Sequence, residues 1–295
     1  MVMTIIEMLD RIKKGESEFP VKAQLQVLKS KRIKTKEGNL LVDLVLRDTT
    51  GIYPHFWSSF ADDTELAKVE VGNIVYIEGE YKKDLDGVII TNIEKLEEFD
   101  LSKFVKLPDL DANELFSFIE KVIEEMENQW LKQLLTAIFE DRVIRRKFIE
   151  SPSAVKYHHA YLHGNLEHTV GMLKGFNNYC LDFYGKDLAK FDKELINAGI
   201  ILQDIGKIYE YGINNGLPIY VEKYALIGHI VLGSELVAKK ISAIPDFPED
   251  LELKLKHIIL SHHGRKEWGS PVEPAIPEAH IVHSLDLLDS RLKSL

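Results

Sequence analysis

Between residues 21 and 96 the pattern is β-like, in five short runs rich in β-branched residues: 21–28, 40–47, 51–57, 73–81 and 88–96. Successive side chains of a strand point to opposite faces, so such runs can turn one face to a core and the other to water. Turn signals separate the runs at Glu37-Gly38-Asn39, at Asp48-Thr49-Thr50-Gly51 and at Asp84-Leu85-Asp86-Gly87. With a helical or irregular segment at 59–69 between the third and fourth runs, the order predicts a small closed barrel of the OB type. Ahead of it, residues 1–19 read as a short amphipathic helix. Glu7 and Asp10 interrupt its apolar stretch and no small-residue cleavage site follows, so a targeting segment is not expected.

From residue 112 the apolar spacing becomes helical, through Leu115, Phe118, Ile119, Val122, Ile123 and Met126, then Leu131, Leu134, Leu135 and Ile138. The stretch 99–110, with Pro108 and no clear period, reads as a linker. After Pro152 nearly everything is helical, with apolar periods at 166–183, 194–209, 225–244, 251–261 and 278–292. The expected organisation is an N-terminal helix (1–19), an OB-type barrel (20–98), a linker with bridging helices (99–150) and a helical domain (151–295). The fold class is therefore multidomain α+β, a β-barrel followed by an all-α domain.

Composition narrows the class without naming an activity. Apolar residues at 45% and charged residues at 28% are ordinary globular values over 295 residues, enough for two cores. No stretch is long and uncharged enough to span a bilayer, and the single cysteine, Cys180, cannot form an intrachain disulfide. A reducing, cytoplasmic setting without membrane partners is expected. There is no Gly-x-Ser-x-Gly elbow and no phosphate-binding Gly-rich Lys-Ser/Thr loop, which sets aside serine hydrolases and P-loop enzymes.

The net charge of −10 opposes binding to a polyanion, because such affinity comes largely from Lys and Arg releasing counterions. Its distribution does not. Residues 21–36 hold Lys22, Lys29, Lys31, Arg32, Lys34 and Lys36 and no acid. This run is either a phosphate-tracking strip or a solvated loop between strands. Tyr53, His55 and Trp57 alternate along the third strand, with Phe56 facing the other way. Lys31, Arg32 and Lys34 with Tyr53 and Trp57 are the candidate nucleic-acid contacts, the aromatics stacking on bases and the cations following phosphates; core packing is the alternative for the rings.

Ten of the eleven histidines lie after residue 157, several beside acids at helical positions. The segments are Leu166-Glu167-His168-Thr169, Gln203-Asp204-Ile205-Gly206-Lys207, Gly228-His229, Ser261-His262-His263-Gly264 and His283-Ser284-Leu285-Asp286. Imidazole and carboxylate suit borderline-to-hard divalent metals such as Mn²⁺, Fe²⁺, Zn²⁺ or Mg²⁺, and rigid helices can aim them at one point. Lys207, one turn from Asp204, could neutralise charge on a phosphoryl oxygen.

The order His, Asp, His, His, Asp, with Asp-Ile-Gly-Lys after the second site, resembles the HD-domain phosphohydrolase superfamily. The OB-like front with His158-His159-Ala160-Tyr161, Ser261-His262-His263-Gly264 and Gly269-Ser270-Pro271 resembles, more narrowly, the YhaM-type 3′→5′ exoribonucleases, over residues 20–292. The resemblance implies that His168, Asp204 and Asp286 hold one metal, and that His229 and His262 complete an adjacent site, so one or two ions, Mn²⁺ first. It makes His263 a ligand or phosphate contact, Lys207 an aid at the phosphate, and His159 and Arg265 pocket residues. It further implies single-stranded RNA, or DNA, as substrate, nucleoside 5′-monophosphates as products, and a homo-oligomer.

The sequence departs from the pattern at two positions. Gln203 stands where the superfamily has the His of its doublet, offering a neutral carbonyl in place of imidazole. That fits a divergent enzyme with one weakened site, a degenerate domain that binds without hydrolysing, or a deliberate inactivating substitution. His163 stands where a glycine is expected and could crowd the pocket. Two rival readings stay open: a non-catalytic single-strand-binding protein, and an HD hydrolase acting on a small nucleotide.

Overall fold

The structure is a computed structural model and describes residues 2–34, 40–59, 63–105, 109–155, 159–188 and 190–293. Lys36, the 37–39 turn and His158 lie outside the described residues. The chain divides into two compact units, Met1–Leu107 with Asn214–Ile219, and Pro108–Ile213 with Tyr220–Leu295.

In the first unit, α1 (Ile5–Lys13) starts at Thr4, whose hydroxyl accepts from the Glu7 amide while Glu7 reaches back to the Thr4 amide, satisfying two donors that a helix start leaves unpaired. Strands β1 (Glu18–Lys34), β2 (Leu40–Asp48), β3 (Gly51–Ser59), β4 (Ile74–Lys82) and β5 (Gly87–Lys95), with α2 (Asp63–Lys68) between β3 and β4, follow. They close into a barrel in the order β1-β2-β3-β5-β4, with β3 and β5 parallel and the other pairs antiparallel. This is the OB-type barrel that the run order predicts. Alternation does the work in β1, where Phe19, Val21, Ala23 and Leu25 face a core also built from Val42, Leu44, Phe56, Ile77 and Val88.

Two expectations change here. The basic run is not a loop: β1 continues to Lys34, with Lys31 opposite Asp43 and Lys34 opposite Leu40. A register shift between Val27 and Lys29 carries β1 past its buried half, and Lys29, Lys31, Arg32 and Lys34 are exposed on the extension, whereas Lys22 is held by Glu78 at 2.6 Å. The second correction concerns Tyr53, which cannot stack on a base. His55 has φ +72° and the β2–β3 register slips between Leu44 and Leu46. A bulge adds one residue and breaks the period of two. Tyr53 therefore lies inside with Phe56, rings edge to face at 5.7 Å, and donates its hydroxyl hydrogen to the Asp86 carbonyl. Trp57 remains half-exposed, stacked on His55 at 5.5 Å. Beyond β5 the expected linker is partly core: Phe104 and Val105 pack on Ile74.

The second unit is built from α3 (Ala112–Glu124), α4 (Gln129–Phe139), α5 (Arg142–Glu150), α6 (Gly164–Lys174), α7 (Leu181–Leu188), α8 (Lys193–Leu202) and α9 (Lys207–Glu210). After a hairpin come α10 (Glu222–Ala225), α11 (His229–Ile241), α12 (Glu249–Ser261) and α13 (Pro277–Leu292). One continuous core includes Ile119, Leu134, Phe148, Leu173, Ile200, Val237, Ile258 and Val282, so α3 to α5 share it with the later helices. Helix α8 is apolar nearly all round because it runs through this core, with its orphan amides at the start capped by Asp192.

The hairpin, β6 (Tyr211–Asn214) and β7 (Leu217–Tyr220), departs from the expected all-helical run. Asn215 and Gly216 turn it with φ of +47° and +73°. An Asn-Gly pair between apolar runs is the sequence signal for such a turn. No helix among the described residues is long and apolar enough to cross a membrane.

Candidate metal centre

Five elements of the helical unit deliver the histidine and aspartate side chains to one place. His168 lies on α6, which begins at His163 with φ +69°. That left-handed backbone is where glycine is unstrained, which accounts for the glycine expected at this position. The His163 ring is held at the end of α5, its Nδ1 2.7 Å from the Ile149 carbonyl oxygen. Gln203 and Asp204 sit in the turn that ends α8. Helix α11, headed by His229, begins against Gly206, where a Cβ would fall 2.0 Å from the His229 carbonyl oxygen. Only glycine tolerates that approach. His262 caps the C-terminus of α12. Asp286 and Asp289 are one turn apart on α13 and so share a face.

Asp204 lies at the middle. Its Oδ1 is 3.6 Å from His229 Nε2 and 3.4 Å from His262 Nε2, and its Oδ2 is 3.5 Å from His168 Nε2. His168 Nε2 is in turn 3.1 Å from Asp286 Oδ1. Ligand atoms of His168, Asp204 and Asp286 lie within 4.8 Å of one another, and so do those of His229, His262 and His263. Asp204 Oδ1, His229 Nε2 and His262 Nε2 are buried and have no hydrogen-bond partner. Buried polar atoms without partners are costly, and three of them pointing at one spot fit a divalent cation.

The ring orientations point the same way. His262 Nδ1 donates to the Ile259 carbonyl at 2.8 Å and His263 Nδ1 to the Trp268 carbonyl at 2.9 Å. A carbonyl only accepts, so Nδ1 carries the hydrogen and a neutral ring keeps its Nε2 lone pair for the centre. Glu210 takes the Nδ1 of His229 at 2.7 Å as well as its backbone amide, and Asp289 takes the Nδ1 of His168 at 2.7 Å. Such outer carboxylates fix the tautomer and aim of metal-binding imidazoles.

Electrostatics divides the histidines. Burial works against charging His168, but the hydrogen bonds it donates to Asp286 and Asp289, with the nearby charge of Asp204, raise its pKa to about 9. Burial, with His262 and His229 alongside, pushes His263 down to about 3, and burial likewise lowers His229. Burial would raise the Asp204 carboxyl, yet Lys207, then His262 and His229, hold it well below the usual range.

The remaining expected residues fall around this core. Lys207 is buried, with its Nζ 2.8 Å from Asp204 Oδ2 and 3.1 Å from Ser153 Oγ. Its charge is directed at Asp204. His159 lies one layer out: Nε2 meets Asp289 at 2.8 Å, and Nδ1 meets Glu167 at 2.9 Å and the Tyr161 hydroxyl at 3.0 Å. His159, His168 and Asp289 also lie close enough to hold an ion. The hydrogen bonds among them already use the facing atoms. Arg265 is exposed and lies over the Trp268 ring, 4.9 Å from its centroid. Gln203 is buried, its Nε2 3.0 Å from Met172 Sδ and 3.3 Å from His168 Nε2, while its Oε1 has no partner. Sequence reasoning missed Asp289 and Glu210. The spacing of Asp289 from Asp286 was a usable signal; nothing in the sequence ties Glu210 to His229.

This constellation on packed helices defines an HD domain, and residues 165–291 match the HD domain family. Over nearly its whole length the chain is similar to proteins named 3′-5′ exoribonuclease YhaM. The one from Oceanobacillus iheyensis is 31% identical over 282 residues, 92% of this chain and 84% of that protein. The one from Listeria monocytogenes is 30% identical over 264 residues, 88% and 81%. The one from Shouchella clausii is 31% identical over 264 residues, 85% and 77%. The chain belongs to the YhaM family.

Proposed function

We propose that this chain is a metal-dependent 3′→5′ exoribonuclease that shortens single-stranded RNA and releases nucleoside 5′-monophosphates. The observation that carries the reading is the convergence of unpartnered Asp204 Oδ1, His229 Nε2 and His262 Nε2 in a YhaM-family chain. Asp204, His229 and His262 would hold one divalent ion, with His168 and Asp286 on the other oxygen of Asp204 for a second. The donor set suits Mn²⁺, and also Mg²⁺, Fe²⁺ or Zn²⁺. A cation bound there supplies positive charge at a phosphoryl oxygen and lowers the pKa of a nearby water.

The chain's own groups complete the chemistry. Hydrolysis joins a water oxygen to phosphorus and breaks the bond to the 3′ oxygen of the preceding nucleotide, so a proton must leave the water and one must reach the departing oxygen. His263, neutral because burial holds its pKa at about 3 and fixed through Nδ1, would orient that water through its Nε2 lone pair; so low a pKa makes it a weak base, and both protons are exchanged with solvent. Lys207 acts as a positioning residue that occupies Asp204 Oδ2 and leaves Oδ1 turned to the histidines. On the barrel, exposed Lys31, Arg32 and Lys34 on β1, with Lys31 one strand away from Trp57 across Asp43, and the His55–Trp57 stack support a grip on single-stranded nucleic acid, RNA or DNA. Gln203 favours a second reading, a domain that binds without cutting, and one digest separates the two. With 5′-labelled single-stranded RNA and Mn²⁺, a ladder shortening from the 3′ end is expected; intact, bound RNA would mean binding alone.

Metal affinity should depend on pH through His168. Its folded pKa of about 9 lies above the ordinary 6.5, so in the metal-free protein the proton on His168 adds stability that is full below pH 6.5 and is lost as pH rises through 9. An ion there must displace that proton. Apparent affinity at the His168 side is expected to rise by about tenfold per pH unit up to about 9, where it levels off. Calorimetric Mn²⁺ titration in two buffers of different ionisation enthalpy would count the released proton; none released would remove His168 from the ligand set.

A further inference from the structure

Beside the metal centre, within the helical unit, a cleft of about 490 Å³ is walled by Tyr209, Tyr211, Tyr224, Lys147 and Lys223. That volume is in the range of sites that take a nucleotide-sized ligand. The Tyr211 ring lies 6.4 Å from the ring of His229, so the cleft begins next to a candidate ligand of the ion. The Tyr209 and Tyr224 rings lie 5.6 Å apart, tilted at 49°, with Lys147 over the first ring at 5.5 Å and Lys223 over the second at 4.7 Å. Among the described residues neither lysine has a carboxylate within ion-pairing distance, although the chain as a whole carries a net charge of −10. The one acid in the wall, Glu150, is exposed. Aromatic faces with unneutralised cations among them are the chemistry that holds a single strand, rings taking bases and ammonium groups taking phosphates.

We infer that this cleft binds the nucleotides of a single-stranded RNA immediately 5′ of the bond to be cut. Tyr209 and Tyr224 also line a second hollow, of about 610 Å³, whose wall holds Lys239 and Lys240 as well as Asp141 and Glu235, so the two rings border room beyond the cleft. A chain that continues needs a path of that kind. The inference rests on the exoribonuclease reading and adds to it a second grip on the strand, separate from the barrel and next to the chemistry.

The test is equilibrium binding of a 5′-fluorescein single-stranded oligoadenylate to the full-length protein in EDTA, so that cleavage does not enter. Tyr224→Ala is expected to weaken binding by about 5- to 100-fold, the loss of one stacked base. Lys223→Ala, at an exposed position where folding is not at risk, is expected to weaken it and to lower the slope of log affinity against log salt by roughly 0.7. Hydrolysis of bis(p-nitrophenyl) phosphate with Mn²⁺, a diester too small to fill the cleft, should stay at the wild-type rate in both variants. Unchanged RNA affinity in both variants overturns the inference, as does an equal fall in turnover of the small diester. If wild type binds RNA and the variants bind it less, but wild type leaves RNA uncut with Mn²⁺, the exonuclease reading fails and the strand site stands.

Discussion

Asp204→Asn is expected to lower RNA digestion by roughly 10³-fold or more, about 4 kcal/mol of transition-state stabilisation. One oxygen of this side chain faces His229 and His262, and the other faces His168 and is held by Lys207. The amide keeps the shape and removes the charge, so both ion positions lose their common ligand while Lys207 is left buried without its counter-charge. A buried lysine in that state costs stability, so a lower unfolding temperature should accompany the loss. Mn²⁺ titration separates the causes. No measurable binding with a retained helical circular-dichroism spectrum assigns the effect to the ligand, and near-wild-type digestion would remove Asp204 from the centre of the mechanism.

Gln203→His should move activity the other way. The glutamine amide now turns its Nε2 toward Met172 and His168 and leaves Oε1 buried without a partner. An NH₂ group carries no lone pair for an ion, and even turned over, the amide offers a neutral carbonyl that transition metals prefer less than imidazole. Supplying the ring is expected to tighten Mn²⁺ at the His168–Asp286 side by about 10- to 100-fold and to raise RNA digestion at least about tenfold. Two ions per chain in the variant against one in the parent, counted by calorimetry at the same metal concentration, would trace the gain to that position. Equal counts and rates would show that Gln203 already serves, and that the family's histidine is dispensable here.

Much of the candidate centre is legible in the sequence because its residues sit at fixed offsets in local motifs. Asp-Ile-Gly-Lys places a carboxylate, a close-approach glycine and a lysine within a turn and a half, and the structure uses each for a local reason: Gly206 admits α11, and Lys207 reaches back to Asp204. The resemblance puts Lys207 at the phosphate; in the structure its partner is Asp204. The spacing was right, but a buried ammonium goes to the nearest buried carboxylate. Tyr53 lies inside the barrel for a different reason. Alternation assigns faces only while the period of two holds, and the bulge at His55 moves every residue beyond it by one.

What the sequence by itself determined were the features that depend on neighbours along the chain. These are the five alternating strands, the helical periods after residue 112, and the residue types able to hold a divalent ion. What only the tertiary structure decided was convergence. The pairing of Glu210 with His229 spans 19 positions and that of Asp289 with His168 spans 121, and neither leaves a periodic trace. The same holds for the tyrosine cleft, which gathers α5, α9, β6 and α10 around Tyr209 and Tyr224. Local spacing sets which way a side chain leaves its helix or strand. Which side chains then meet is set by how whole elements pack to bury their apolar faces, a choice made by all of them together.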